Sequence, residues 1–352
     1  MDDVKVFNLD RLWNEIGSNV KQDIDSVLST GVCQGGDITK QVENKISFLI
    51  NTKNTTLFHS CTDALVQGLR NLNLPSNSEV IVPAYTFIAT ASSILLAGLK
   101  PVFVDVGDDY HLDLTKAKEK ITNNTKVLLY VTLWGSPANK LVETFCNDNN
   151  LLLVEDAAQS LGAPLSNSAF SVLSFSPTKP CTTLGSGGAL VTNSDNFAKL
   201  ATLGRLHGKI NNSTPSEVLG MNSMISTTES VVLNNTLDLL TEHKNKRRYI
   251  AKLYTTEIGN KYELPVYKED CTYSKFVIKC ESRDKLIKHL KSNGILTQIH
   301  YSILPIQEKL FNINIKEYNN SLSLQQTSLT IPNCPYMTNN EIERVIQCLK
   351  EF

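Results

Sequence analysis

The sequence predicts an α/β fold in two parts. Residues 1–240 form a large domain with a mostly parallel sheet flanked by helices, and residues 241–352 form a smaller C-terminal α+β domain. Three observations predict this. Short β-rich runs recur between residues 55 and 193, with helical patterns between several of them. The runs are continuous apolar stretches rather than alternating ones, as strands buried on both faces require. The strands then stop, and a helix-rich stretch leads into a second strand–helix–strand unit. A chain of 352 residues, at about 150 per domain, also suits two domains.

The first β run, residues 55–60, ends where a helix begins. In that helix, residues 63–71, Ala64, Leu65, Gly68 and Leu69 share a face. Residues 79–82 form the second strand and open a charge-free stretch, residues 80–99, that is long enough to cross a bilayer as a helix. Pro83 and the hydroxyl residues Thr86, Thr90, Ser92 and Ser93 instead divide it into strand, turn and short helix. Strands at 101–106 and 126–133 follow, then a helix at 140–148 and strands at 151–156, 171–176 and 189–192. Beyond Asn193, Leu233, Leu237 and Leu240 lie on one face of a helix that runs into the basic cluster His243-Lys244-Asn245-Lys246-Arg247-Arg248. With a near-neutral chain, a solvated helix face suits that cluster better than a phosphate patch. The second unit has a strand at 274–280, a helix at 282–292 closed by Gly294, and a strand at 295–300. A last helix at 339–349 starts behind Thr338 as its N-cap.

Composition narrows the function. Lys and Arg number 34 against 35 Asp and Glu, a net charge of −1, so nucleic acid and anionic membranes are not expected partners. A hydrophobic fraction of 41% with 20% charged residues excludes disorder. No two of the eight cysteines form a C-x-x-C pair and no His lies at zinc-ligand spacing from one, so no metal site is expected. Two acids stand at the start, where a signal peptide needs bases, which points to free thiols in the cytoplasm.

Open α/β sheets gather ligands at the carboxyl ends of their strands, so the polar residues there matter most. Ser60-Cys61-Thr62-Asp63 opens the first helix. Such residues serve as a plain cap, or present free N–H groups to a phosphate. Asp156 ends the strand of Leu151-Leu152-Leu153-Val154-Glu155. It either caps the next helix or meets a buried cation. Lys179 sits between Pro177 and Pro180, unlike a snorkelling surface lysine. A buried lysine of lowered pKa condenses with carbonyls. Together the three match pyridoxal 5'-phosphate, which offers an aldehyde, a pyridine nitrogen and a phosphate.

The chain resembles the sugar aminotransferases of the DegT/DnrJ/EryC1/StrS family, enzymes of fold-type I that use pyridoxal phosphate. The resemblance rests on ordered motifs spread over most of the chain. They include Ser60-Cys61-Thr62-Asp63-Ala64-Leu65, Val82-Pro83-Ala84-Tyr85-Thr86-Phe87, Glu155-Asp156-Ala157-Ala158-Gln159, Ser174-Phe175-Ser176-Pro177-Thr178-Lys179, Arg205-Leu206-His207-Gly208 and His300-Tyr301. It implies that Lys179 forms the Schiff base and moves the proton, that Asp156 pairs with the pyridine nitrogen, and that Gln159 bonds the phenolic oxygen. Phe87 would stack on the ring. Cys61, Thr62 and Ser174 would hold the phosphate, with Asp63 helping through its backbone. Asn222 would reach into a neighbouring subunit's phosphate site, which implies a homodimer with shared active sites. His300 and Tyr301 would line the sugar pocket.

The implied reaction carries an amine from L-glutamate to a UDP- or dTDP-linked 4-keto-6-deoxyhexose, giving a 4-amino-4,6-dideoxy sugar such as viosamine. A 3-keto nucleotide sugar is the alternative. A non-enzymatic regulatory or scaffold protein of the same fold is the rival, but it would be expected to lose Lys179, Asp156 or the phosphate turn. The chain departs from the family pattern at Cys61, where Gly is usual, and at Met224, Glu229 and Pro180.

Overall fold

The computed structural model describes residues 3–137, 139–211 and 213–352. Two long helices come first, α1 (Leu9–Leu28) and α2 (Gly36–Leu49). The sheet region then runs β1 (Asn54–Phe58), α3 (Cys61–Asn71), β2 (Glu79–Pro83), α4 (Ile88–Leu96), β3 (Lys100–Val104), α5 (Leu114–Glu119) and β4 (Thr125–Val131). It continues through α6 (Lys140–Asp148), β5 (Leu152–Asp156), β6 (Phe170–Ser174), β7 (Gly188–Thr192) and α7 (Asp195–Gly204). Helices α8 (Thr227–Asp238) and α9 (Leu240–Ile258) lead to β8 (Phe276–Lys279), α10 (Arg283–Ser292), α11 (Asn319–Thr327), β9 (Ser328–Ile331) and α12 (Asn339–Glu351).

Seven strands make one sheet in the order β1-β7-β6-β5-β4-β2-β3. Five of them, from β6 to β3 across the sheet, run parallel, while β7 is antiparallel to both β1 and β6. Alternation along each strand builds a core on both faces. Val127, Leu129 and Val131 of β4 join Leu65 and Leu69 of α3 and Ala91 and Ile94 of α4 on one face. Leu128 and Tyr130 join Val142 and Cys146 of α6 on the other. At the β1 end that second face is closed by Val42 and Ile46 of α2 with Leu233 and Leu237 of α8. The charge-free residues 80–99 are thus β2, a turn and α4. Among the described residues no helix is long and apolar enough to cross a membrane.

A separate apolar cluster joins β8 and β9, which pair antiparallel, to α9, α10 and α12. Val4 enters it, because its backbone bridges to Ile295 and bonds Gly294 and Leu296. Thr338 caps α12 in a reciprocal capping box with Glu341, and Gly294 follows α10 at φ +65°, where a left-handed backbone favours glycine.

Three expectations need correction. Residues 295–300 form no strand: Ile295 bridges to Val4 and Gln298 to Thr330, so the segment splits its pairing between two partners. The strand beside β8 is β9 instead. The helix expected to carry Leu233, Leu237 and Leu240 is broken at Leu239 into α8 and α9. Finally, the basic cluster is only in part a solvated face, with Asn245 exposed and Lys244, Lys246 and Arg248 half-buried. His243 and Arg247, four residues apart on α9, are both buried.

Candidate active site

The β1–α3 turn is shaped by its cap. Ser60 is extended, and its Oγ accepts the N–H of Asp63 at 3.1 Å, while its carbonyl accepts the N–H of Ala64. The N–H groups of Cys61 and Thr62, first in α3, are left without an acceptor among the described residues. They open onto a cavity of about 200 Å³ at the carboxyl end of the sheet. The start of β7 lies so close to this turn that a Cβ on Gly188 would come within 2.2 Å of the Cys61 nitrogen. Glycine is required there by contact rather than by dihedral angle. Burial raises the Cys61 thiol well above the usual cysteine range, so it remains protonated.

The two acids ending β5 point to opposite faces, as successive strand residues must. Glu155 turns away from the cavity and accepts from the backbone and hydroxyl of Ser166 and from the Ser171 hydroxyl, at 2.6–3.1 Å. Asp156 turns into the cavity. It accepts from the Thr90 hydroxyl at 2.7 Å and the Ala158 N–H at 3.1 Å, both neutral donors. It has no ion-pair partner among the described residues. Burial pushes its carboxyl above the ordinary aspartate range, against the opposing pull of those two donors and of Lys179.

Lys179 follows β6 in a loop that is pinned at several points. Its N–H reaches the Ser176 carbonyl, while Phe175 bonds Gly187 and accepts from Thr183. Glu229 of α8 accepts the Leu184 N–H at 2.9 Å and so holds the far side of the same loop. The residue keeps some exposure, but its ammonium is desolvated in the cavity wall. That burial lowers its pKa, and the Cys61 and Asp156 side chains counter it only in part.

An aromatic wall completes the cavity. Phe87, the residue before α4, is 55% exposed, with its ring 5.8 Å from that of Tyr301. Gln159 donates from Nε2 to the Tyr301 hydroxyl at 2.8 Å, and its Oε1 accepts the Trp134 N–H at 3.1 Å. The amide is thereby oriented, and its second N–H has no acceptor among the described residues. Tyr85 lies behind, buried, and donates to the carbonyl of His300.

Cys61, Thr62, Phe87, Asp156, Gln159, Ser174, Lys179 and Tyr301 therefore share one cavity. Asp63, Asn222 and His300 are not in its lining. The Asp63 N–H is taken by Ser60 and its carboxylate accepts from Ser223 at 2.7 Å, so it ties the 220–224 segment to the turn and has no backbone donor to spare. Asn222 is exposed beside that tie and bridges to Leu206. His300 bonds Thr330 through Nδ1 at 2.8 Å. Thr90, Ser176 and Ser186, unforeseen from the sequence, also line the cavity. The only sign of Thr90 was a hydroxyl in an apolar helix, one turn after Phe87. Of the departures, Met224 packs near Gly35 and Pro180 is buried.

This sheet order, with a carboxylate ending the fifth strand and a lysine after the sixth, is the pyridoxal-phosphate aminotransferase fold. The chain belongs to the DegT/DnrJ/EryC1/StrS aminotransferase family, whose model matches residues 14–350. It is 27% identical to a pleiotropic regulatory protein of Geobacillus stearothermophilus, over 99% of this chain and 98% of that one. It is 28% identical to the dTDP-3-amino-3,6-dideoxy-alpha-D-galactopyranose transaminase of Aneurinibacillus thermoaerophilus, covering 95% of each. Among solved structures it is similar to DesV of S. venezuelae in complex with a ketimine intermediate (TM-score 0.96, 27% identity, 100% of this chain and 98% of that one). It also matches NtdA of Bacillus subtilis with bound cofactor PMP (TM-score 0.92, 27% identity, 100% and 85%).

Proposed function

We propose that this chain is a pyridoxal-phosphate-dependent aminotransferase that transfers an amine from L-glutamate to a ketone of a nucleotide-linked deoxyhexose. The observation that carries the proposal is the buried Asp156 carboxylate, which has only neutral donors and opens into the cavity that Lys179 also lines. A desolvated carboxylate needs a cation, and a protonated pyridine nitrogen is one. The free N–H groups of Cys61 and Thr62 at a helix N-terminus suit the phosphate, with Ser174 beside them. The remaining N–H of Gln159 suits the phenolic oxygen, and the open face of Phe87 suits the ring.

When bound, the cofactor supplies the electron sink that makes the carbon next to nitrogen acidic. The protein's part is to place and move a proton. Burial keeps Lys179 more easily deprotonated than a surface lysine, so its amine can take a proton from the donor's carbon and return one to the sugar carbon. Asp156 holds the opposing charge in place.

The sugar is read as a 4-keto-6-deoxyhexose on UDP or dTDP. A second reading, the 3-ketone, is favoured by the likeness to the Aneurinibacillus enzyme, whose product is a 3-amino sugar. Phe87 at the cavity mouth and Asn222 outside its own chain's cavity both support a homodimer in which each protomer completes the other's site.

The test is to incubate the protein with pyridoxal phosphate, L-glutamate and either UDP- or dTDP-linked 4-keto-6-deoxyglucose, in parallel with the 3-keto isomers, and to weigh the products. An amino sugar matched by 2-oxoglutarate from one isomer assigns the carbon and the nucleotide. Cofactor binding without the glutamate half-reaction would defeat the enzyme reading and favour a regulatory role like that named for the Geobacillus relative.

A further inference from the structure

Behind Lys179, away from the cavity just described, lies a second chamber of about 50 Å³. It is walled by the 177–182 loop, α9, the two residues before β8, residues 333–336 and the N-terminal segment. One water needs only about 10–15 Å³ of such space. Three Lys and Arg side chains line it, Lys179, Arg247 and Lys275, and among the described residues no Asp or Glu does.

Lys275 is 4% exposed and Arg247 8%. Neither makes an ion pair or a hydrogen bond to the described residues, and Lys275 Nζ and Arg247 Nη1 are fully buried without partners. Among the described residues, the one favourable electrostatic contact that Lys275 Nζ makes is with the ring of Phe7, at 5.4 Å. A single cation–π contact only weakly offsets the cost of burying an unpaired charge. Deprotonation could relieve the lysine, but Arg247 has no such escape. His243 adds no further charge near neutral pH, because burial and the nearby Arg247 push it down to about 4. Two further polar atoms in the same wall, Ser274 Oγ and Asn333 Oδ1, are also buried without partners.

We propose that this chamber is a binding site for one small oxyanion, a carboxylate or a hydrogen phosphate, held by Lys275 and Arg247. An oxyanion accepts from both cations at once. A hydroxyl on it, or an accompanying water, donates to Asn333 Oδ1 and leaves Ser274 to bond either way. The anion has two possible sources, a free ion from solution or a carboxylate of the amino donor that reaches past Lys179. The site stands on its own residues, and only the donor source rests on the function proposed above.

The experiment uses the full chain loaded with pyridoxal phosphate, in a chloride-free, low-salt buffer. Sodium phosphate, sodium acetate and L-glutamate are titrated separately while the unfolding temperature and the binding heat are recorded. Lys275→Met and Arg247→Met are run alongside. Lys275→Met removes an unpaired buried charge for a side chain of similar length, so it is expected to fold. Saturable binding of phosphate or acetate, weakened at least tenfold in Lys275→Met, supports a free-ion site. Lys275-dependent binding of glutamate alone supports the donor carboxylate. Repeating the phosphate and acetate titrations on protein without cofactor separates this inference from the catalytic reading, since the chamber needs no cofactor. Absence of Lys275-dependent binding by all three probes would overturn the proposal and make Lys275 a neutral amine in a hydrated cavity.

Discussion

Asp156 shows how a single buried residue ties the fold to chemistry. Its two oxygens are held by a hydroxyl on α4 and a backbone N–H after β5, so its direction is fixed before any ligand arrives. Replacing it with Asn keeps the shape and removes the charge. Breaking a buried charge pair costs about 3–5 kcal/mol, so Asp156→Asn is expected to slow the glutamate half-reaction by roughly two to four orders of magnitude. Single-turnover absorbance would read this directly, and a parental rate would remove the pyridine-nitrogen role. Asp156 and Lys179 were legible in the sequence because four apolar residues before an acid, and a lysine between prolines, are local signals. Thr90 was not, because its partner lies 66 positions away. Asp63 misled for the opposite reason. Its N–H is counted as free until the local cap by Ser60 is seen.

At the scale of elements, the strands that line the site were legible because burial on both faces leaves apolar runs. Helices α1 and α2 went unread although Leu9, Leu12, Trp13, Ile16 and Val20, and then Ile38, Val42 and Ile46, stand at helical spacing; no side-chain cap marks either start. The β1–α3 turn and β7 depend on each other through Gly188. Gly188→Ala drives a methyl group into the Cys61 nitrogen and the Ser60 carbonyl carbon. Overpacking of this kind costs about 1–3 kcal/mol, and the turn that moves is the proposed phosphate cradle. Urea unfolding without cofactor should show the loss, and cofactor titration should show weaker binding by tenfold or more. Helix α9 makes a second prediction, through His243. Burial, and then Arg247, hold its pKa down to about 4. The unfolded chain takes up that proton below about 6.5, the native chain only below about 4. The unfolded state therefore binds more protons across this window, so stability is full above about 6.5 and falls as the pH drops to about 4. The loss is at most about 3 kcal/mol. Unfolding of His243→Gln across the same pH range should show a slope shallower by up to one proton.

At the scale of the whole molecule, the question is whether one chain can complete its own site. Phe87 leaves more than half of its surface open at the cavity mouth, and Leu184 and Leu219 are exposed nearby in sequence to the site loops. Asn222 sits outside its own cavity, yet its segment is tied firmly to the cradle turn by Ser223 and Asp63. A residue whose backbone is held there by the bridge to Leu206, and whose side chain has no hydrogen bond among the described residues, fits a twofold partner whose site lies across the interface. Subunit mixing decides the matter. Lys179→Ala and Asn222→Ala homodimers should each be nearly inactive, because every site carries one lesion. If the sites are shared, a hybrid dimer puts both lesions in one site and leaves the other intact. Random exchange of equal amounts then restores about a quarter of the parental sites, since half the dimers are hybrids with one good site each. Native mass spectrometry would confirm that hybrids formed. Hybrids without recovered activity would mean that each mixed dimer still has a defect at both sites, and Asn222 would then serve its own chain, against the present reading.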